Sequence, residues 1–298
     1  MGQRNLALLA ATLVSVIYGV TFTVAKDVMP QYVAPFGFIF LRVGGSAILF
    51  WLAWILAPKE KIDRADWLRI AAAALFGVAL NMLTFFKGLS LTSPISAAVI
   101  MVTTPIIVLV LSAIILREKM RKRKAFGILL GLAGTAFLIL YGKSAAQAPN
   151  AMLGNLLVFI NAVSYGLYLI LVKKLMHRYN AFTFVKWVYT FGFLMVLPFG
   201  WYEFTAIDWP VMPTDIFLKM LFVVAISTFL TYLLNLWSMK ALSPSTVAVF
   251  IYLQPLFATL FAIGLGKDHL TLTKIVSAVL IFGGVYLVTH KNRRPENP

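Results

Sequence analysis

Residues 87–118 read KGLSLTSPISAAVIMVTTPIIVLVLSAIILRE, and residues 240–268 read KALSPSTVAVFIYLQPLFATLFAIGLGKD. Each opens on a lysine and a Ser-Pro pair, runs through apolar residues to a mid-run proline, and closes on a basic–acidic pair. Ser93-Pro94 recurs as Ser243-Pro244, Pro105 as Pro255, and Arg117-Glu118 as Lys267-Asp268, all 150 residues on. Lys240 lies three residues closer to its Ser-Pro pair than Lys87 does, which places a gap in that loop. A bilayer core of about 30 Å needs about 20 apolar residues in a helix. Each stretch therefore reads as one membrane span with a proline near its middle.

Working outward, the correspondence continues. Lys124 recurs as Lys274 and Gly134 as Gly284, again 150 on, while Tyr18-Gly19 recurs as Tyr165-Gly166 and Lys26 as Lys173, 147 on. Ten apolar segments result: residues 5–24, 34–56, 67–87, 94–116, 125–141, 152–172, 181–201, 216–237, 244–265 and 273–289. Five fall in each half, so two repeats are expected, residues 1–145 and 146–298. Five is odd, and the second repeat must enter the membrane upside down. The fold expected is all-α and integral to the membrane, with ten transmembrane helices as two inverted five-helix repeats. Secondary carriers are built this way, with the site at the midplane between repeats.

Composition agrees. Of 298 residues 61 % are hydrophobic and 12 % charged, against roughly 25 % charged in soluble domains. A soluble enzyme, a disordered chain and a disulfide scaffold are excluded, the last also because cysteine is absent. With the N-terminus inside, 19 Lys and Arg fall on the inner side and 6 on the outer. The positive-inside bias then puts both termini in the cytoplasm of a multi-pass protein of the plasma (inner) membrane. The net charge of +16 comes from this asymmetry. The run Arg121 to Lys124 is a topology anchor at anionic headgroups, and nucleic acid is not expected as a partner.

These residues resemble the drug/metabolite transporter superfamily, EamA type. The resemblance rests on Phe40-Leu-Arg42, on Gly88-Leu89 or Ala241-Leu242 before Ser-Pro, on Pro105 and Pro255, on Glu118, and on Gly131, Gly134 and Gly283-Gly284. It covers the chain to about Thr289 and implies a carrier of amino acids or other small metabolites, often outward. Asp268 stands where the first half has Glu118.

The candidate site follows from polar residues at helical spacing within spans. Asn161, Ser164, Tyr165 and Tyr168 form one stripe, and Thr228, Thr231, Tyr232 and Asn235 another. Asn81, Thr84 and Phe85 lie on the third span, Ser15 and Tyr18 on the first, and Tyr252 and Gln254 beside Pro255 on the ninth. Facing lipid, such groups would waste their hydrogen bonds, so they are expected to point inward. The alternative is simple interhelical bonding. A proline clashes with the carbonyl four residues back, so Pro105 and Pro255 are expected to free the carbonyls of Met101 and Ile251. Arg42 is the one charge deep in a span, about eight residues from the outer face. It either meets a substrate carboxylate or caps carbonyls as a structural element.

All ten acids lie in loops, at span ends or in the tail, and His177, His269 and His290 lie in loops or at a span end. Proton coupling through a buried carboxylate is therefore not expected. No catalytic constellation, nucleotide-binding motif, cofactor site or metal site is legible. The partners expected are a small-molecule substrate and the lipid bilayer, around a monomer. The reading is a secondary transporter of small metabolites, amino acids or related compounds, working by alternating access as an exporter. The alternative is a membrane-embedded lipid or polyprenyl-phosphate transferase.

Overall fold

The computed structural model describes residues 2–92, 97, 100–118, 121–140, 150–264 and 271–290. Their regular elements are helices throughout. In chain order these are α1 Gln3–Val28, α2 Pro35–Trp54, α3 Arg64–Leu91, α4 Thr104–Ile115, α5 Lys122–Leu140, α6 Ala151–Leu175, α7 Ala181–Thr205 and α8 Thr214–Ala241. α9 comprises Pro244–Val249, a 3₁₀ turn Phe250–Tyr252, and Leu253–Gly264; α10 is Leu272–Thr289. Nine helices among the described residues are long and apolar enough to cross a membrane, and α4 is a shorter apolar helix there. Ser93-Pro94, residues 141–149, Lys267-Asp268 and His269 lie outside the described residues.

Packing obeys an exchange of each helix with the one five places on. α3 packs on α6 as α8 packs on α1, and α4 on α6 as α9 on α1. The pairs α2–α7, α5–α10 and α4–α9 map onto themselves. Two five-helix halves are thus related by a pseudo-two-fold axis. At the α5–α10 crossing, a Cβ on Gly284 would lie 2.6 Å from the Gly127 carbonyl oxygen and 2.6 Å from the Gly131 nitrogen. One on Gly127 would lie 2.8 Å from the Gly284 carbonyl. The axes approach this closely only because side chains are missing there.

Two features of the spans differ from the sequence reading. α3 and α8 each contain a π-helical segment, Leu75–Ala79 and Ala225–Leu230. They begin 150 residues apart, at equivalent places in the halves. No proline or charge marks them. The second difference concerns the prolines, which start helices rather than kink them. Pro105 sits in the first turn of α4, and Pro255 is the third residue of Leu253–Gly264. A first-turn proline has no intrahelical donor to lose, so the chain breaks just upstream. Thr103 N donates to Ile100 O at 3.0 Å, and the Phe250 carbonyl is reached from α1 by Ser15 Oγ at 2.9 Å.

Charges clamp the helix ends. On the side of Arg121, buried Asp66 accepts from Arg69 (2.6 Å), Arg178 (2.6 Å) and Tyr179 Oη (2.8 Å), tying the α2–α3 connection to the α6–α7 connection. Burial, with the Asp66 carboxylate adding to it, holds the Tyr179 phenol above its ordinary pKa. At the opposite side, Glu203 near the end of α7 accepts from Phe36 N (2.6 Å) and Gly37 N (2.9 Å). It thereby caps α2, whose own N-cap residue Ala34 has no side-chain acceptor.

Candidate functional site

Arg42 enters from α2 and docks on the π segment of α8. Nε donates to Thr228 Oγ1 at 2.6 Å, and Nη2 reaches the Ser227 carbonyl at 3.4 Å. One turn on, Ser46 Oγ donates to Val224 O at 3.0 Å. A π turn shifts the hydrogen-bond register and exposes carbonyls that α-helical bonding would occupy. Ser227 corresponds to Gly77, 150 residues earlier in the π segment of α3. The Gly77 carbonyl also receives a donor from another helix, Tyr232 Oη at 2.9 Å. The Tyr168 ring lies so close over Gly77 that a Cβ there would sit 2.2 Å from Cδ2.

Around these two segments the helices gather tyrosines. The Tyr165 and Tyr168 rings are 6.2 Å apart, Tyr168 and Tyr232 6.2 Å, and Tyr189 and Tyr232 5.0 Å, nearly perpendicular. Tyr18 Oη accepts from Thr231 Oγ1 at 3.3 Å, and Tyr18 is within electrostatic reach of Tyr165, its mate across the pseudo-two-fold axis. Tyr18, Tyr189 and Tyr232 also lie within electrostatic reach of Arg42. Tyr168 Oη and Asn161 Oδ1 are buried without a partner among the described residues. The centre is therefore one cation ringed by phenols.

The sequence-selected residues divide into three groups. Tyr18, Arg42, Tyr165, Tyr168 and Tyr232 come together in this centre. Asn81 and Asn161 bond each other's backbone, Asn161 Nδ2 to Asn81 O at 2.7 Å and Asn81 Nδ2 to Asn161 O at 3.4 Å, joining α3 to α6. Thr84 Oγ1 bonds its own helix at Leu80 O, 2.6 Å. Phe85 and Asn235 are half-buried, as are Met101, Gln254 and Pro255, while Pro105 is buried. Tyr252 is fully buried and packs on Gly131 of α5, away from the tyrosine centre. Missed by the sequence reading were Gly77, Tyr189 and Ser227. The repeat offset linking Gly77 to Ser227 could have signalled both.

A second cluster closes the side of Arg121. Glu118, just after α4, pairs with Lys124 Nζ and accepts from Ser245 Oγ at 2.9 Å. Lys124 Nζ also donates to Ser243 Oγ at 3.0 Å. Lys173, from the end of α6, donates to the carbonyls of Met239 (2.6 Å) and Leu242 (2.9 Å) at the end of α8. The Glu118 and Lys124 bonds fasten the first half to the start of α9, and the Lys173 bonds join α6 to the end of α8 within the second half. Lys186, which the charge count assigned to the inner side, lies within α7. It is buried, with Nζ 2.9 Å above the Trp54 ring centroid and 4.4 Å from that of Trp51. An indole face offers such a cation electrostatic compensation.

A profile of the EamA-like transporter family matches residues 5–140 and again residues 152–290. The chain belongs to the EamA-like transporter family. Its curated relatives are named as transporters without a stated substrate. One is the uncharacterized transporter YetK of Bacillus subtilis, 23 % identical over 85 % of this chain and 77 % of that protein. Another is an uncharacterized transporter of Archaeoglobus fulgidus, 22 % identical over 99 % of this chain and 100 % of that one. A third is the inner membrane transporter YicL of Salmonella typhimurium, 23 % identical over 99 % and 98 %. A solved crystal structure superposes with a TM-score of 0.79 over 96 % of this chain and 98 % of that one, at 20 % identity, and so shares the fold. This EamA-like transporter is thus a multi-pass membrane protein, and its family is one of transporters rather than enzymes.

Proposed function

We propose that this protein is a secondary carrier that exposes one central site alternately to each side of the membrane. Its substrates are small amphipathic metabolites, amino acids or related compounds, and its net direction is export. The carrying observation is the pair of π segments at equivalent positions in inverted halves, converging on Arg42 and the tyrosines. Irregular backbone at membrane depth is tolerated only against protein or a cavity, and matched interruptions in two halves point to a transport site. The halves divide near residues 145 and 146, and both termini face the cytoplasm of the plasma membrane.

Counterflow in proteoliposomes tests this. A carrier preloaded with unlabelled substrate draws in the labelled compound transiently against its gradient. Unsaturable flux, or a panel of small metabolites giving no exchange at all, would overturn the reading.

A further inference from the structure

Arg42 carries a charge that no described residue balances. It is the eighth residue of α2, so its Cα lies about 10 Å along the helix. Among the described residues it makes no ion pair. The described acids lie elsewhere. Asp27 pairs with Lys219, Asp66 with Arg69 and Arg178, and Glu118 with Lys124. Glu203 caps α2, and Glu60 bonds Asn180 N at 2.7 Å. Asp63, Asp208 and Asp215 flank the helix ends. The guanidinium has five N–H donors. One has a short bond to Thr228, one a long contact to Ser227 O at 3.4 Å, and no described residue accepts from Nη1. A half-buried cation at membrane depth with spare donors is costly unless an anion or water meets it.

The groups around it are donors too. Tyr168 Oη has no partner among the described residues, and the Tyr18 hydroxyl lies beside Thr231 Oγ1 at 3.3 Å. Nothing in this ring is a carboxylate that would hold an ammonium. A zwitterion would leave the centre at one positive charge, and a cation would raise it to two. A monoanion leaves it neutral.

We infer that Arg42 selects substrates by charge: the site takes carboxylates of net charge minus one, in preference to zwitterions and cations of the same carbon skeleton. The carboxylate occupies Nη1 and Nη2 as a fork and takes over from the Ser227 carbonyl, whose other donor is Thr231 Oγ1 at 2.7 Å. This rests on the carrier reading and narrows its substrate class to deaminated or N-acylated relatives of amino acids.

The test is equilibrium binding to the purified full chain in detergent at neutral pH, followed by thermal shift and calorimetry. Two matched sets serve as probes: 2-hydroxy-4-methylpentanoate, leucine and leucinamide, and lactate, alanine and alaninamide. Within a set, the hydroxy acid is expected to bind roughly tenfold or more tightly than the zwitterion, with the amide weakest. Arg42→Gln is expected to lower hydroxy-acid affinity by roughly tenfold or more and leave the amide unmoved, while Thr228→Val, which keeps the charge, retains the order. The inference is overturned by a zwitterion or amide binding as well as the acid, by Arg42→Gln binding the acid like wild type, or by no member of either set binding. The wild-type order decides the charge class even if Arg42→Gln fails to fold. Binding of the acid without counterflow would remove the carrier reading and keep this one. Counterflow with zwitterion preference would do the reverse.

Discussion

Substituting Gly284 by alanine tests the α5–α10 crossing. The new methyl carbon would sit 2.6 Å from Gly127 O, 2.6 Å from Gly131 N and 2.9 Å from Gly131 Cα. All three are backbone atoms of a helix and cannot rotate away. To restore ordinary contact α5 must withdraw by most of an ångström, which strips packing along the crossing. Overpacking of this kind costs about 1–3 kcal/mol, and the rigid neighbours put Gly284→Ala toward the upper figure. The adjacent Gly283 supplies the control. Its Cβ would meet only Leu130 Cδ2, at 3.4 Å, and alanine there gains helix propensity of up to about 1 kcal/mol. Thermal unfolding of the purified variants in detergent should show Gly284→Ala melting several degrees below wild type and Gly283→Ala at or above it. Equal melting of the two would refute the crossing geometry.

Four further outcomes follow from other contacts. Ser15→Ala leaves the Phe250 carbonyl without its partner from α1 but with the Leu253 N–H, and should lower unfolding stability by about 0.5–1.5 kcal/mol in the same melt. Glu118→Gln removes the charge holding Lys124 and Ser245. A cysteine placed at buried Val249 in this cysteine-free chain should then react several times faster with a membrane-permeant maleimide than it does without Glu118→Gln. For orientation, a cysteine among residues 142–150 should label from outside the cell and one among residues 121–124 should not; the reverse would invert the topology. Uptake into vesicles should follow the substrate gradient and be unchanged by an imposed pH gradient, since no acid lies at a span centre. Accumulation that tracks the pH gradient, and vanishes on neutralising one acid, would show the opposite.

The repeat was legible because it is written in residues whose roles are backbone roles. Ser-Pro starts α9, the prolines restart helices, and Gly127, Gly134 and Gly284 allow a close crossing. Such constraints survive divergence and keep a constant offset. Tyr18, Tyr165, Tyr168 and Tyr232 were legible as polar stripes because a phenol inside a span is conspicuous. Asn81, Asn161 and Thr84 bear the same stripe signature, yet their bonds hold helices together. Periodicity gives a face and says nothing of what the face meets. The π segments left no trace, since Leu75–Ala79 and Ala225–Leu230 are as apolar as α-helical spans and differ only by hydrogen-bond register. The burial of Lys186 was illegible for a related reason: the indoles of Trp51 and Trp54 that let a lysine sit inside α7 come from α2, far off in sequence.

The π segments also carry a history. A π turn accommodates one residue more than the α turn it replaces, so each marks an insertion within a helix. Two independent insertions would have no reason to begin 150 residues apart, in register with the Ser-Pro pairs and mid-span prolines. One insertion in a five-helix ancestor, copied when its gene doubled, explains both. The donors that reach these segments are not copied: Tyr232 serves Gly77, while Arg42 and Thr231 serve Ser227. The irregular backbone is thus the part of the centre that the two halves share, and the arginine the part in which they differ.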